Sequence, residues 1–538
     1  ADFSSFFISA GASTRVLTTD VKLIGCGTVL DNNGFGHETP FPLFHGGITL
    51  AFTRRWTISG FIFDCTTGVS SLAIQTHGTH ELTIEDIVTK CGTNTNGRAV
   101  IQLQADTKNV VLRNLTTQSS SEDSLAFNSN DWPTQSVTAG DIENVIIENW
   151  TDLPSETGTN GGFALRLYPG SWTTWSNGMA IYLGDSVVSS GKIYKVVGKS
   201  SGTWTERTST VAPSATLGND LAGADGIVWR YLCDGTFTTA NVRNITVRNC
   251  VFSGLHAIQT TVWSDDITNP YARSVYPGTE NTAEVTGVVI ESCKWSPTAG
   301  ISNGFLSAVD HFGSIVVRNV DFTVADNDHV VFYPQNNTQL VGNGNLLKFE
   351  NCKLKQTAGN FIGTQVGGSI KTLSFVDCIL EGVHDLTNGS FIWSRGMDCI
   401  SKLKFSGCTI RGVHELFYSE AGSTCDITVA ACDISGHERL YYGAHDNTVT
   451  RVRITDTNLG EAVSGYQFLT TSALASVRVW INGVSGGGTI AGDGKTEIVF
   501  ADVPIETGYV KLVAGSLCRN NTGAWVECDG TTFGAIRN

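Results

Sequence analysis

The sequence predicts an all-β protein: a right-handed parallel β-helix of about 12 coils, with a small inserted β module and a β-rich C-terminal domain. The main observation is a short segment of alternating apolar residues that recurs along the chain, as in ITVRNCVF, KFENCKL and KFSGCTI. These segments align on Ile58, Ile84, Leu112, Ile147, Val247, Ile290, Val317, Phe349, Phe375, Phe405, Val429 and Ile454. Their usual spacing of ~25–30 residues is a period typical of solenoids.

A second series of apolar segments runs out of phase with the first and includes AVIQLQ (99–104), FALRLY (163–168) and FIWSR (391–395). Two or more short strands per period, joined by Gly, Asn and Ser turns, are typical of β-helix coils. Because one coil cannot bury its apolar face alone, we expect the coils to stack on one another.

The repeat divides the chain into four parts. Coils are predicted over residues 1–171 and again over 233–475. Residues 172–232 do not follow the repeat and form the inserted module, in which GDSVVSSGKIYKV has the alternation of a hairpin around Ser-Gly. Residues 476–538 lose the repeat but keep alternating strands, which indicates a β-rich C-terminal domain.

Six cysteines occupy the same position of the repeat, which predicts a ladder of buried free thiols, since a free Cys behaves as a small apolar residue. They are Cys250, Cys293, Cys352, Cys378, Cys408 and Cys432. No CxxC spacing suggests zinc, so neither a metal nor a cofactor is expected.

The net charge of −15 argues against a nucleic-acid groove. No apolar run approaches the ~18 residues of a membrane span, so no membrane insertion is expected.

A polar strip along the second series has the composition of a sugar-binding face, because amides bond hydroxyl groups and aromatic rings cover the apolar faces of sugars. We predict substrate-binding residues there at Gln102, Asn128, Arg166, Tyr168, Gln259, Trp393 and Arg395, with Asn128 in the same outward row as Arg166 and Tyr168 in another row. The alternative is an ordinary solvated sheet face.

Two stretches resemble polygalacturonase-type hydrolases: VKLIGCGTVLDNNG (21–34) and SSSEDSLAFNS (119–129). The resemblance implies that Glu122 and Asp123 replace the paired catalytic carboxylates of that family. Arg166 matches the first residue of its cationic strand motif, and Tyr168 stands where the family has Lys. The family's Gly-His-Gly is absent and Asn96 replaces a carboxylate, so the resemblance covers the fold and one motif.

A long excursion at 262–285 supplies the second set of candidate catalytic carboxylates. Asp265 and Asp266 lie beside Trp263, and Asp310 with His311 follows one coil later. We predict that Trp263 and His311 bind the substrate. Consecutive coils could bring these groups and Arg166 into one cleft. The alternative for the Asp-Asp pair is capping of a turn.

The inserted module and the C-terminal strands resemble parts of bacteriophage tailspikes. That resemblance implies a homotrimer on the virion tail, attached through an N-terminal part outside this chain, that recognises and cleaves bacterial O-antigen or capsule.

Endo-acting glycoside hydrolysis, which needs two carboxyl groups, is the favoured chemistry. Two alternatives stay open: a polysaccharide lyase acting by β-elimination, with an Arg and a Tyr or His, and a non-catalytic glycan-binding adhesin or receptor-binding protein. Sugar identity, stereochemistry and a site within or between subunits are not encoded in any motif.

Overall fold

The structure is a computed structural model. It describes residues 6–8, 18–31, 48–51, 53–64, 73–90, 99–118, 123–129, 140–153, 163–171, 173–181, 186–200, 207–214, 220–234, 239–253, 256–260, 284–295, 304–308, 312–324, 330–332, 343–356, 361–364, 369–382, 390–394, 400–419, 425–444, 449–465, 467–470, 476–485, 496–504, 511–519 and 524–527. The chain divides into two compact units: unit 1, residues 1–289 with 296–298, and unit 2, residues 290–295 with 299–538.

The N-terminal coils of unit 1 consist of paired short and long strands. In chain order these are β1 (Phe6–Ile8), β2 (Thr18–Asp31), β3 (Ile48–Ala51), β4 (Thr53–Asp64), β5 (Ile74–His77), β6 (His80–Lys90), β7 (Ile101–Gln104), β8 (Lys108–Gln118), β9 (Leu125–Asn128), β10 (Ile142–Leu153) and β11 (Phe163–Tyr168). The odd-numbered strands β1 to β11 form one parallel ladder, in which each strand pairs with the next odd-numbered strand. The even-numbered strands β2 to β10 form a second parallel ladder.

The inserted module follows as small sheets. Its strands are β12 (Gly170–Ser171), β13 (Thr173–Thr174), β14 (Met179–Ile181), β15 (Ser186–Ser189), β16 (Lys192–Lys199), β17 (Arg207–Ser209), β18 (Asp220–Ala222), β19 (Ile227–Asp234) and β20 (Thr239–Ala240). The predicted hairpin is confirmed: β15 and β16 pair antiparallel across Ser190 and Gly191, both with positive φ. Tyr194 and Trp229 lie in the module's own apolar core.

The coils then resume. The strands are β21 (Val242–Arg248), β22 (Val251–Phe252), β23 (His256–Thr260), β24 (Val285–Glu291), β25 (Lys294–Trp295), β26 (Gly304–Ala308), β27 (Phe312–Arg318), β28 (Asp321–Val324), β29 (Val330–Phe332), β30 (Asn343–Glu350), β31 (Lys353–Gln356), β32 (Ile362–Thr364), β33 (Ser369–Val376), β34 (Ile379–Glu381), β35 (Ser390–Ser394), β36 (Ile400–Ser406), β37 (Thr409–Arg411), β38 (Glu415–Ser419), β39 (Asp426–Ala430), β40 (Asp433–Ser435), β41 (Arg439–Gly443), β42 (Val449–Thr455), β43 (Asn458–Leu459) and β44 (Phe468–Thr470).

The predicted fold class is confirmed: the chain is all-β, and its long sheets are stacks of parallel strands, as in a β-helix. In unit 1, Ile147 of β10 pairs with Val247 of β21, so the insertion leaves the stacking register unbroken. In unit 2, Phe349, Phe375 and Phe405 pair in successive coils, and their rings stack with centroids 5.1 and 5.0 Å apart. The repeat therefore marks real stacking positions.

The short strands carry the candidate sites, and we name the group in each unit separately. The site sheet of unit 1 has the order β1-β3-β5-β7-β9-β11-β23, and the site sheet of unit 2 has the order β26-β29-β32-β35-β38-β41-β44. Their inward residues form buried columns, for example Ile101, Leu125 and Leu165 in unit 1. The residues on either side of such a column point outward.

The thiol ladder is confirmed, since all six repeat cysteines are buried and free. Each of Cys378 and Cys408 lies 3.5 Å from a carbonyl oxygen of the preceding coil. The pKa of Cys378 and of Cys408 is raised to about 12. The main cause is a hydrogen bond with the neighbouring thiol of the ladder, and burial raises the pKa further. These thiols act as packing groups.

The C-terminal strands extend the stack beyond residue 475. They are β45 (Ser476–Asn482), β46 (Thr496–Pro504), β47 (Lys511–Arg519) and β48 (Trp525–Glu527). β45 to β47 continue the parallel ladder, and only β48 is antiparallel. The strands therefore keep stacking in parallel after the sequence repeat has ended, because parallel pairing does not require the Cys and turn residues of the repeat.

Candidate functional site

Three of the predicted residues, Asp123, Arg166 and Tyr168, meet on the outward side of the unit 1 site sheet. Asp123 lies just before β9, outside the regular alternation of the strand. Arg166 and Tyr168 flank inward Leu167 on β11, the next strand of the sheet. The two-residue alternation of a strand puts both side chains on the same face.

The three side chains form a closed ring of polar contacts. Arg166 Nη2 lies 3.0 Å from Asp123 Oδ1, and Arg166 Nη1 donates to the Tyr168 hydroxyl at 2.7 Å. That hydroxyl donates to Asp123 Oδ2 at 3.2 Å. The Asp123 and Arg166 side chains are 4% and 26% exposed. Arg166 is therefore the group that a ligand can reach, and Asp123 holds it in place.

Small residues make room for the Tyr168 ring. Ala99, Ala126 and Tyr168 form a buried cluster, and Ala126 pairs with Gln102 on one side and Arg166 on the other. A longer side chain at 126 would occupy the space of the ring. The ring is buried, and its hydroxyl contacts Arg166 and Asp123.

Amide side chains border the cluster in two outward rows. The register places Gln75, Gln102, Ala126, Arg166 and Gln259 in the first row. Gln104, Asn128 and Tyr168 lie in the second. Asn128 had been expected in the row of Arg166, and this is a correction: period-2 alternation cannot distinguish a position from the one two residues away. Gln104 Nε2 donates to Gln102 Oε1 at 2.9 Å.

A second carboxyl group lies behind the cluster, on the inward side of the coil. Asp152 of β10 is completely buried and accepts hydrogen bonds from Ser124, the neighbour of Asp123, and from Thr117 at 2.9 Å. Burial, with a smaller contribution from the charge of Asp123, raises the pKa of Asp152 to about 7 against the effect of those hydrogen bonds. Sequence reasoning missed Asp152, although it falls at an inward position after Trp150.

In unit 2, Trp393 lies in a column of outward aromatic residues. Trp393, Tyr418 and Tyr442 pair in register on β35, β38 and β41. Their rings stack, with centroids 6.3 Å apart for Trp393 and Tyr418 and 5.1 Å apart for Tyr418 and Tyr442. All three are partly exposed.

Other predicted site residues fall outside the part of the chain that the structure describes. These are Glu122, Trp263, Asp265, Asp266, Asp310, His311 and Arg395; for Gln259 only the backbone is described. Within the described ranges no three His, Cys, Asp or Glu side chains are grouped as a metal site would require. No helix in those ranges is long and apolar enough to cross a membrane.

Comparison with known proteins adds two structural likenesses. No protein-family model matches the chain, and no curated protein matches it. A crystal structure of PfbA, a surface adhesin of Streptococcus pneumoniae, is similar over 97% of this chain and 90% of that chain, with a TM-score of 0.37 and 8% identity. A second PfbA structure is similar over 88% and 90%, with a TM-score of 0.30 and 8% identity. The fold assignment rests on the strand order given above.

Proposed function

We propose that the outward face of the unit 1 site sheet binds an acidic polysaccharide of a bacterial surface, capsule or O-antigen. The observation that carries the proposal is the Arg166 guanidinium, partly exposed and fixed in orientation by Asp123 and Tyr168. A planar guanidinium binds a carboxylate through charge-assisted hydrogen bonds. Gln102 and Asn128, both partly exposed, can bond sugar hydroxyl groups beside it.

The biological setting of the proposal comes from the tailspike resemblance. It implies a homotrimer on the virion tail, with residues 476–538 contributing to trimer formation and an N-terminal part outside this chain joining the tail or baseplate. In that setting the polysaccharide is the host receptor.

Cleavage of the bound chain is a second candidate function, by β-elimination or by hydrolysis. Hydrolysis needs two carboxyl groups flanking the glycosidic bond. Asp123 is buried and engaged by Arg166, while Asp152 lies in the core. In elimination, Arg166 would bind the uronate carboxylate, and Tyr168, whose hydroxyl accepts from Arg166, would take the proton next to that carboxylate while the glycosidic C–O bond to the leaving sugar breaks. A hydrolase would depend on Glu122, Asp265, Asp266 or Asp310.

The test compares binding and cleavage in matched variants. The protein is incubated with acidic and neutral surface polysaccharides, and binding, chain length and the ultraviolet absorbance of an unsaturated uronate are followed. We expect Arg166→Gln to weaken binding of acidic chains about tenfold or more, since a charge-assisted hydrogen bond contributes roughly 1.5–3 kcal/mol. Tyr168→Phe should still bind but release no unsaturated product.

The matched control is Arg113→Gln, which removes an exposed Arg paired with Glu85 in the other ladder of unit 1. It should bind and act as the parent does. Unchanged binding by Arg166→Gln would exclude this face as the acidic-glycan site. Shortened chains without absorbance would indicate hydrolysis, and binding without shortened chains would leave a receptor-binding protein.

A further inference from the structure

Glu415 is a buried carboxylate at the border of the aromatic column in unit 2. It begins β38 and pairs in register with Ser390 on one side and Arg439 on the other. It accepts a hydrogen bond from Ser390 Oγ at 2.6 Å, and His414 Nε2 lies 3.3 Å from its Oε1. Burial alone would raise the pKa of Glu415, but the contacts with His414 and Ser390 and the charge of Arg439 together lower it. The group is therefore a charged acceptor.

Arg439 joins this carboxylate to the aromatic column. Its Nη1 lies 3.5 Å from Glu415 Oε1 and its Nη2 lies 3.4 Å from Glu438 Oε1. Its guanidinium carbon lies 5.3 Å from the centre of the Tyr442 ring. The carboxylate, the cation and the ring thus come from two successive coils.

The charge of the cluster indicates the kind of ligand. The carboxylates of Glu415 and Glu438 share the single guanidinium of Arg439, and both of its terminal nitrogens face carboxylates. An anionic sugar would be repelled here, in contrast to the Arg166 site of unit 1. A neutral sugar has hydroxyl groups that donate to a carboxylate and accept from Arg or His, and apolar C–H groups that pack on aromatic rings.

We propose that unit 2 carries a second glycan site, formed by Tyr418 and Tyr442 with Glu415, His414 and Arg439, that binds neutral hexose units. The proposal extends the glycan-binding function to a separate site, and it requires neither Arg166 nor cleavage. It also explains why the outward column here consists of Trp393 and two tyrosines, where a solvated sheet face would carry Thr, Lys and Glu.

Affinity electrophoresis through gels containing neutral glycans tests the proposal with the full chain. The probes are dextran, galactan, mannan and a neutral N-acetylhexosamine polymer, with polygalacturonate as the acidic comparison. We expect at least one neutral glycan to retard the protein, and Tyr418→Ala and Tyr442→Ala each to weaken that interaction about tenfold. Glu415→Gln should weaken it, because the carboxylate that holds Arg439 in place loses its charge, and Arg166→Gln should leave it unchanged.

Trp480→Ala is the matched control, because Trp480 is a partly exposed ring of unit 2 that also lies against an arginine, Arg453 at 5.5 Å. It should run as the parent does, and circular dichroism should show every variant folded. Three results would contradict the proposal. No neutral glycan retards the folded parent, Trp480→Ala weakens binding as much as the tyrosine variants do, or Tyr418→Ala weakens the binding of polygalacturonate alone. Loss of acidic binding in Arg166→Gln with retained neutral binding would separate the two sites.

Discussion

The Asp152 carboxyl lies in the interior of a coil, where charge is costly. Its pKa is raised to about 7, whereas the unfolded chain has the ordinary value of 3.8. The folded state therefore binds the proton more tightly, so this group lowers the free energy of unfolding progressively as the pH rises from about 4 to about 7. A difference of about three pKa units corresponds to roughly 4 kcal/mol above that range.

We predict that Asp152→Asn stabilises the protein at pH 8 and not at pH 4. Asn keeps an oxygen that accepts from Ser124 and Thr117 but cannot ionise. Thermal melting from pH 4 to pH 8 should show a gain over the parent that grows with pH and levels off above about 7. Glu148→Gln, on the outward side of the same strand, is the control. A gain that is constant with pH would show that the pKa of Asp152 is the same in the folded and unfolded chains.

At the scale of elements, the turns between paired strands repeat a left-handed residue from coil to coil. In unit 2 this position is taken by Ser292, Asn319, Asn351, Asp377, Gly407, Ala431, Asp456 and Gly483, all with positive φ. Asn, Asp and Gly tolerate that conformation, whereas a left-handed Ala costs roughly 1–2 kcal/mol. Ala431 is the apolar member of this series and has no side-chain group that could hydrogen-bond within the turn.

We predict that Ala431→Gly stabilises the protein by about 0.5–1 kcal/mol, because the relief of strain exceeds the added entropy of the unfolded glycine. The control is Ala430→Gly, one residue earlier in β39, which should destabilise because glycine weakens a strand. Both are measured by chemical denaturation. Destabilisation by both variants would show that the left-handed turn is not strained.

The sequence was most informative about these elements and least informative about the register of single residues. Alternating apolar residues with a stacked Cys predicted the coils because each coil must bury the same face. The pattern misplaced Asn128, because a shift by two residues keeps the alternation. Asp123, Arg166 and Tyr168 were predicted singly by resemblance, and strand pairing brings them together. Glu415 has no local signal, since its burial arises from neighbouring coils.

At the scale of the whole molecule, the net charge of −15 opposes the approach of an acidic polysaccharide, although Arg166 attracts its carboxylates at contact. Salt screens the long-range repulsion, because the Debye length falls from about 30 Å at 0.01 M to about 8 Å at 0.15 M. We predict that the association rate with an acidic chain rises over this range, while the rate with a neutral glycan stays constant. Surface plasmon resonance on immobilised glycans measures both rates. A rate that falls with salt for the acidic chain would reveal a local positive field strong enough to outweigh the net charge, and Arg166→Gln would then show how much of that field Arg166 supplies.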